Sequence, residues 1–159
     1  MGHTGWHVLY VRPRFQSLVA SRLRPQRLEI YLPVYRTKHS HKAVELPLFP
    51  RYLFCKIDDV SRVLMIPGIL DRVHAAQCDV EEDVKRLKRV SKSGLKYGPG
   101  AARQRETFAL VEGGPLDGFS GFVSAGNCLT IPIKSICRSI IIQTELTCKL
   151  VRTNLNTAA

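Results

Sequence analysis

The stretch Leu46-Pro47-Leu48-Phe49-Pro50-Arg51-Tyr52-Leu53-Phe54-Cys55-Lys56-Ile57-Asp58 decides how the first half of the chain folds. Its two prolines make the first part extended and exclude a helix there. From Tyr52 onward, aromatic and branched residues predict a buried strand. Alternation along that strand predicts an aliphatic face opposite an aromatic and cationic face, namely Leu53, Cys55 and Ile57 opposite Tyr52, Phe54 and Lys56. The aromatic face is either part of a core under a covering helix or part of a docking surface for another macromolecule.

Hydrophobic periodicity around this strand predicts an alternation of strands and helices in the first ninety residues. Further strands are predicted at 6–12, 30–35 and 70–75, and helices at 14–28, 60–66 and 80–90. Asp59 is suited to cap the second helix, and Asp79 with Glu82 forms a capping-box pattern for the third. The order β-α-β-β-α-β-α indicates a two-layer α/β sandwich with a mostly antiparallel sheet.

The segment 36–42, Arg-Thr-Lys-His-Ser-His-Lys, is predicted to be a basic loop between two strands. Its His-x-His pattern could belong to a metal site, but two histidines without a third ligand are more typical of a solvated loop. No metal site is therefore predicted.

Residues 91–106 combine Ser, Gly, Ala and charged residues without apolar periodicity, which predicts a flexible basic linker. Beyond it, short segments rich in Ile, Val and Thr alternate with Gly-containing turns, a pattern typical of a small β-barrel. The chain is thus predicted to be α+β, with an α/β sandwich domain at 1–90, a linker at 91–106 and a barrel at 107–159. Branched residues such as Ile131 and Ile140 favour strands over helices in the barrel segment.

The net charge of +11 is concentrated before the barrel: residues 1–90 carry +7, residues 91–106 carry +3 and the remainder carries +1. Such an excess predicts an acidic partner, either nucleic acid or an acidic protein surface. The alternative is that these cations only keep the surface solvated.

The five cysteines are odd in number and form no Cys-x-x-Cys pair, which argues against a zinc site and a disulfide framework. No apolar run approaches the ~20 residues that cross a bilayer, and the first residues lack a signal-peptide pattern. We therefore expect a soluble cytoplasmic protein.

Catalytic chemistry is not indicated by any motif in the chain. A cysteine nucleophile needs a histidine positioned beside it, and no sequence pattern specifies which cysteine and which histidine would meet. The glycines at 113, 114, 118 and 121 lack the following Lys-Ser/Thr of a phosphate-binding loop, and turns explain them better. We predict a protein that is not an enzyme and has no cofactor.

Several patterns together resemble the NusG family of transcription elongation factors. Four segments of this chain resemble the N-terminal domain of that family: Trp6-x-Val8-Leu9-Tyr10-Val11-x-Pro13, Ile30-Tyr31-Leu32-Pro33, Pro47-Leu48-Phe49-Pro50-x-Tyr52-Leu53-Phe54 and Pro67-Gly68-Ile69-Leu70. A further segment resembles the KOW motif of the family's C-terminal barrel: Gly114-Pro115-Leu116-x-Gly118-Phe119-x-Gly121-Phe122-Val123. Residues 131–140 are similar to a later strand, turn and strand of that barrel. The patterns follow the family order along nearly the whole chain.

The resemblance implies a regulator of transcription elongation that acts by antitermination or increased processivity. The family grips the clamp helices of RNA polymerase in a hydrophobic depression, which here would be lined by Tyr10, Phe49, Tyr52 and Phe54. By the same resemblance, the polymerase rim and the non-template DNA strand would face Arg12, Arg14 and Arg36. The KOW domain would bind a second partner, such as Rho or a ribosomal protein, and the protein would be a monomer.

Three departures from the family pattern favour a specialised paralogue over the housekeeping factor. Arg51 replaces a small residue or Asn, the join between residues 75 and 80 is short, and Glu106-Thr107 replaces a Gly-Asp turn. The alternative function is a ribosome-associated RNA-binding protein, because KOW barrels occur in ribosomal proteins and the charge suits RNA. The aromatic and proline pattern of the first domain favours the transcription factor.

Overall fold

The computed structural model describes residues 3–100, 107–124, 128–143 and the backbone of residues 149–152. The chain divides into two units, one formed by residues 1–86 with 134–136 and the other by residues 87–133 with 137–159. All strand pairings between described residues are antiparallel. The predicted α+β class with mostly antiparallel sheets is confirmed, while the predicted domain boundaries stay a prediction.

The first unit is built on a four-stranded sheet in which the strand predicted from residues 52–58 has a central place. In sheet order the strands are β2 (Glu29–Tyr31), β5 (Tyr52–Ile57), β1 (Gly5–Val11) and β6 (Ile69–Arg72). Three helices accompany them along the chain: α1 (Gln16–Leu23), α2 (Ser61–Leu64) and α3 (Gln77–Lys92), the last of which continues into the second unit.

The aliphatic face of β5 forms the core of the first unit together with α1, α2 and the neighbouring strands. The buried members of this core are Leu9, Val11, Val19, Ala20, Leu23, Leu53, Cys55, Ile57, Val60, Val63 and Ile69. Burial raises the pKa of the Cys55 thiol to about 11, because the thiolate loses its hydration there. The sequence prediction of an apolar face on this strand is confirmed.

The prediction of a loop at residues 36–42 is wrong. Strands β3 (Val34–His39) and β4 (Lys42–Pro47) form a two-stranded ribbon, and only Ser40 and His41 make the turn. Both turn residues have positive φ, at 47° and 67°. Side chains near the tip are exposed on both faces, so these strands lack the apolar alternation by which strands are recognised in a sequence.

Three helix termini also differ from the predictions. The predicted helix 14–28 ends at Leu23, because Pro25 follows in a 3₁₀ turn at Arg24–Gln26. Helix α3 begins at Gln77, which places Asp79 in its first turn, so the predicted capping box is wrong. The N-cap of α2 is Val60, without a side-chain cap bond, so the predicted cap at Asp59 lies one residue too early. The Asp59 carboxylate accepts hydrogen bonds from the Ser61 hydroxyl and amide at 2.7 and 2.9 Å. These bonds lower the pKa of Asp59.

The second unit contains a six-stranded antiparallel sheet. In sheet order its strands are β12 (Lys149–Arg152), β8 (Thr107–Glu112), β9 (Ser120–Ser124), β10 (Cys128–Ile133), β11 (Arg138–Gln143) and β7 (Tyr97–Pro99). The described pairings leave β12 and β7 as the two edges, and β7 lies within the stretch predicted as linker. The branched residues that predicted strands are buried here, including Leu129, Ile131, Ile133, Ile140 and Ile142.

Candidate protein-docking site

Tyr10 and Tyr52 lie directly opposite each other on neighbouring strands. The register of β1 and β5 pairs them, and their ring centroids are 5.5 Å apart with the planes tilted by 48°. Both side chains are half-buried, so each keeps surface that a partner can contact. Two of the four residues predicted to bind polymerase are therefore brought together on one face of the sheet.

Arg51, in the turn that precedes β5, lies over the Tyr10 ring of this pair. Its guanidinium carbon lies 4.3 Å from the centroid of the Tyr10 ring, which is cation–π geometry. The Arg51 carbonyl accepts a hydrogen bond from the Val11 amide at 2.9 Å, which fixes the turn against β1. Its Nε is buried and has no hydrogen-bond partner among the described residues. The face thus combines tyrosine and arginine, two residue types enriched among the energetically dominant residues of interfaces.

Gln16 on α1 holds the turn in place, a role that sequence reasoning missed. This buried side chain donates hydrogen bonds from Nε2 to the carbonyl oxygens of Phe49 at 2.7 Å and Tyr52 at 2.9 Å. The Phe49 carbonyl also accepts a hydrogen bond from the Tyr52 amide at 3.1 Å, so the Gln16 side chain ties α1 to both ends of this turn. The available signal was a polar residue on the apolar stripe of α1, spaced from Val19 and Leu23 by three and seven residues.

Phe49 and Phe54 are more deeply placed than the two tyrosines. Phe49 is 4% exposed and Phe54 is 0% exposed, and the Phe54 ring lies 6.2 Å from the ring of Tyr31. In this conformation the two phenylalanines offer almost no area to a partner. Their predicted role in polymerase binding stays a prediction.

The three predicted cationic contacts lie in two places. Arg12 and Arg14 are exposed in the segment between β1 and α1, where Arg14 adopts a positive φ of 65°. Arg36 lies on the ribbon, with its Nε 3.1 Å from the Glu45 carboxylate. This ion pair is largely exposed, so it contributes little to stability.

The predicted KOW-motif residues fall in the turn between β8 and β9 and at the start of β9: Gly114, Pro115, Leu116, Gly118 and Gly121. Leu116 is fully buried, and Gly118 has a φ of 82° that only glycine adopts at low cost. Within the second unit, Arg89 donates hydrogen bonds to the carbonyl oxygens of Pro115 and Asp117 and lies over the Phe119 ring. The turn is thus fixed by burial and by a cation.

A cavity of about 390 Å³ lies at the β1–β6 side of the first unit. Its lining includes Trp6, His7, Arg72, His74 and Gln77. Burial and the positive charge of Arg72 lower the pKa of His7, and a backbone hydrogen bond at Ile57 partly opposes this. None of the predicted polymerase-binding aromatics lines this cavity.

The described residues contain no group of three or more His, Cys, Asp or Glu side chains that could hold a metal ion. No helix within the described part of the chain is long and apolar enough to span a membrane.

Residues 4–92 match the family model described as transcription termination factor NusG, and this match covers more than half of the chain. The chain belongs to the NusG family. This family consists of transcription elongation and termination factors without enzymatic activity. Among solved structures, the chain is similar to NusG of Thermotoga maritima, with a TM-score of 0.55 and 12% sequence identity over 88% of this chain and 93% of that chain. At this identity the likeness supports the fold alone. No curated protein sequence matches the chain.

Proposed function

We propose that this protein regulates transcription elongation, by antitermination or increased processivity, by docking its Tyr10–Tyr52 face on the clamp helices of RNA polymerase. NusG-family factors bind RNA polymerase. The single observation that carries the proposal is the pair of tyrosine rings, 5.5 Å apart, with Arg51 over the Tyr10 ring.

Three properties of this face support helix docking. The tyrosines are half-buried and their rings contact each other, so little side-chain freedom is lost on binding. They present aromatic area together with hydroxyl groups that can donate or accept hydrogen bonds. The Arg51 guanidinium beside the Tyr10 ring adds a positive charge, which suits a carboxylate on the partner helix.

The remaining predicted contacts extend the same proposal. Arg12, Arg14 and Arg36 would contact the polymerase rim or the non-template strand, with Arg36 exchanging Glu45 for a phosphate. The second unit would bind a further partner through its KOW turn, either Rho or a ribosomal protein. The protein would act as a monomer in the cytoplasm.

The test is binding of a peptide that reproduces the clamp helices, measured by isothermal titration calorimetry. We expect Tyr10→Ala and Tyr52→Ala each to cost about 2 kcal/mol of binding free energy, roughly thirtyfold in Kd. Both variants should keep a cooperative melting transition, because both side chains are only half-buried.

Leu53→Ala and Phe54→Ala serve as matched controls from the same strand. Both residues are 0% exposed, so truncation should lower the free energy of unfolding by roughly 2–5 kcal/mol. The molecules of Leu53→Ala that remain folded should bind the peptide with wild-type affinity. Full binding by Tyr10→Ala and Tyr52→Ala, or unfolding of both variants, would show that this face is not the docking site.

A further inference from the structure

The cavity at the β1–β6 side of the first unit carries a cluster of basic and imidazole side chains. Its volume of about 390 Å³ lies within the ~300–1,000 Å³ range of sites that hold small ligands. The charged or titratable residues of its lining are His7, Arg72 and His74, and no aspartate or glutamate belongs to the lining. The electrostatics of the cavity therefore favour an anion.

Two neighbouring strands bring these three side chains together. Arg72 on β6 is paired with Leu9 on β1, and side chains alternate along a strand, so Arg72 and His7 lie on the same face of the sheet. Nη2 of Arg72 lies 3.5 Å from Nδ1 of His74. Burial lowers the pKa of His7 and the charge of Arg72 lowers it further, so these two side chains are within electrostatic reach.

Arg72 is not neutralised by a carboxylate. Its guanidinium forms no ion pair among the described residues. The adjacent Asp71 carboxylate accepts a hydrogen bond from the Arg72 backbone amide at 2.7 Å. A guanidinium has five N–H donors, so its contact with His74 leaves several of them for a ligand. The same charge disfavours a metal cation at the two imidazoles.

The chain between β6 and α3 forms one wall of the cavity and is fixed to β1. The Val73 amide donates a hydrogen bond to the Val8 carbonyl at 2.9 Å, and Nε2 of Gln77 donates one to the Trp6 carbonyl at 2.9 Å. Gly5 leaves the space that the Gln77 side chain occupies, because a Cβ there would collide with it. The wall is thus in place before a ligand binds, as is usual for small-molecule sites.

The rest of the lining is largely apolar and includes Val8, Val73 and Val80. A volume of about 390 Å³ is on the order of ten times the ~30 Å³ share of one water molecule, which is far more than a phosphate group occupies. A ligand that fills the cavity therefore has an organic part as well as a charged group.

We propose that this cavity binds a small organic phosphate, with the phosphate group held by Arg72 and His74 and the organic part against the apolar lining. The planar fork of a guanidinium matches phosphate oxygens, and an imidazole N–H supplies a further donor. Neither Tyr10 nor Tyr52 belongs to the lining, so this site stands apart from the proposed docking on polymerase.

The fluorescence of Trp6 reports directly on the cavity, because Trp6 belongs to the lining and is the single tryptophan of the chain. The full chain is titrated with adenosine monophosphate, inorganic phosphate and adenosine, and each Kd is measured by isothermal titration calorimetry. We expect adenosine monophosphate to bind most tightly and to change the Trp6 emission. Adenosine should bind at least about tenfold more weakly, because it lacks the charged group.

Arg72→Gln and His74→Gln should each raise the Kd of adenosine monophosphate about tenfold, as expected for the loss of one hydrogen bond to a charged group. Arg24→Gln is the matched control, since it removes the same charge from an exposed position of the first unit outside the lining, and it should keep the wild-type Kd. His74 is exposed, so its replacement leaves the fold intact even if Arg72→Gln proves unstable in a melting experiment.

Four outcomes would overturn the proposal. The first is that adenosine monophosphate does not bind, and the second is that adenosine binds equally well. The third is an unchanged Kd in His74→Gln and in folded Arg72→Gln, or an equal loss in Arg24→Gln, which would trace the attraction to net charge alone. The fourth is displacement of adenosine monophosphate by single-stranded DNA at the same concentration of phosphate groups, which would assign Arg72 and His74 to a nucleic-acid backbone.

Discussion

At the scale of single residues, His7 connects burial to a dependence of stability on pH. It is half-buried on β1, where loss of hydration and the nearby charge of Arg72 lower its pKa. In the unfolded chain the imidazole returns to its ordinary pKa, near 6.5. As pH falls below that value, the unfolded state takes up the proton first, so the folded state loses stability. The contribution of His7 is fully present above the unfolded pKa and is lost at lower pH.

We therefore expect the free energy of unfolding to fall less between about pH 7.5 and pH 5 in His7→Gln than in the wild type. Urea denaturation at several pH values measures this difference directly. Replacement of the exposed His39 by Gln controls for the loss of one imidazole from the chain. If the stability of His7→Gln depended on pH as that of the wild type does, the lowered pKa of His7 would not be the cause of the pH dependence.

The aromatic residues show how far sequence reasoning reached within the site. Alternation along β5 correctly grouped Tyr52 with Phe54 on the face opposite Leu53. Alternation does not specify depth, and the structure leaves Tyr52 half-buried while it buries Phe54 completely. Depth depends on what covers each position, which is information from distant parts of the chain. The contact of Arg51 with the Tyr10 ring was unpredictable for the same reason, whereas the position of Gln16 on the apolar stripe of α1 was a signal that sequence reasoning missed.

At the scale of elements, the strands with a strongly buried face were predicted well. The apolar face of β5 and the buried strands β10 and β11 follow directly from their branched and aromatic residues. The β3–β4 ribbon was missed because its outer residues are exposed on both faces and its turn is Ser40-His41 in place of the usual Asn-Gly. Strand β7 has only three residues and depends on pairing with β11, so local sequence does not specify it.

Gly121 on β9 gives a prediction about one element. A Cβ at this position would collide with the carbonyl oxygen of Thr130 on β10, and backbone cannot move as a flexible side chain can. We expect Gly121→Ala to destabilise the second unit by about 1–3 kcal/mol, the usual cost of overpacking. Amide hydrogen exchange in β9 and β10, measured by mass spectrometry on the full chain, should become faster.

Ser124→Ala is the control for this prediction. It shortens a half-buried side chain on the same strand and brings no new atom against the backbone of β10. Exchange in the two strands should therefore remain close to that of the wild type. Unchanged exchange in Gly121→Ala would mean that the two strands separate easily and that the close approach is not required.

At the scale of the whole molecule, the net charge is distributed unevenly along the chain. Residues 1–106 carry +10 of the net charge of +11, while the rest of the chain is nearly neutral. Electrostatic attraction to nucleic acid is therefore expected from the first part and should weaken with salt. Composition alone predicted this asymmetry, but it could not locate the exposed lysines on a ribbon.

The most direct test of the central claim, that the Tyr10–Tyr52 face acts on elongating RNA polymerase, is a transcription assay on a template with a defined pause. The duration of the pause is measured with the wild type, with Tyr10→Ala/Tyr52→Ala and without added protein. We expect the wild type to shorten the pause and the double variant, shown to be folded by its melting transition, to leave it unchanged. A double variant that shortens the pause as much as the wild type, or a wild type without any effect, would contradict the account.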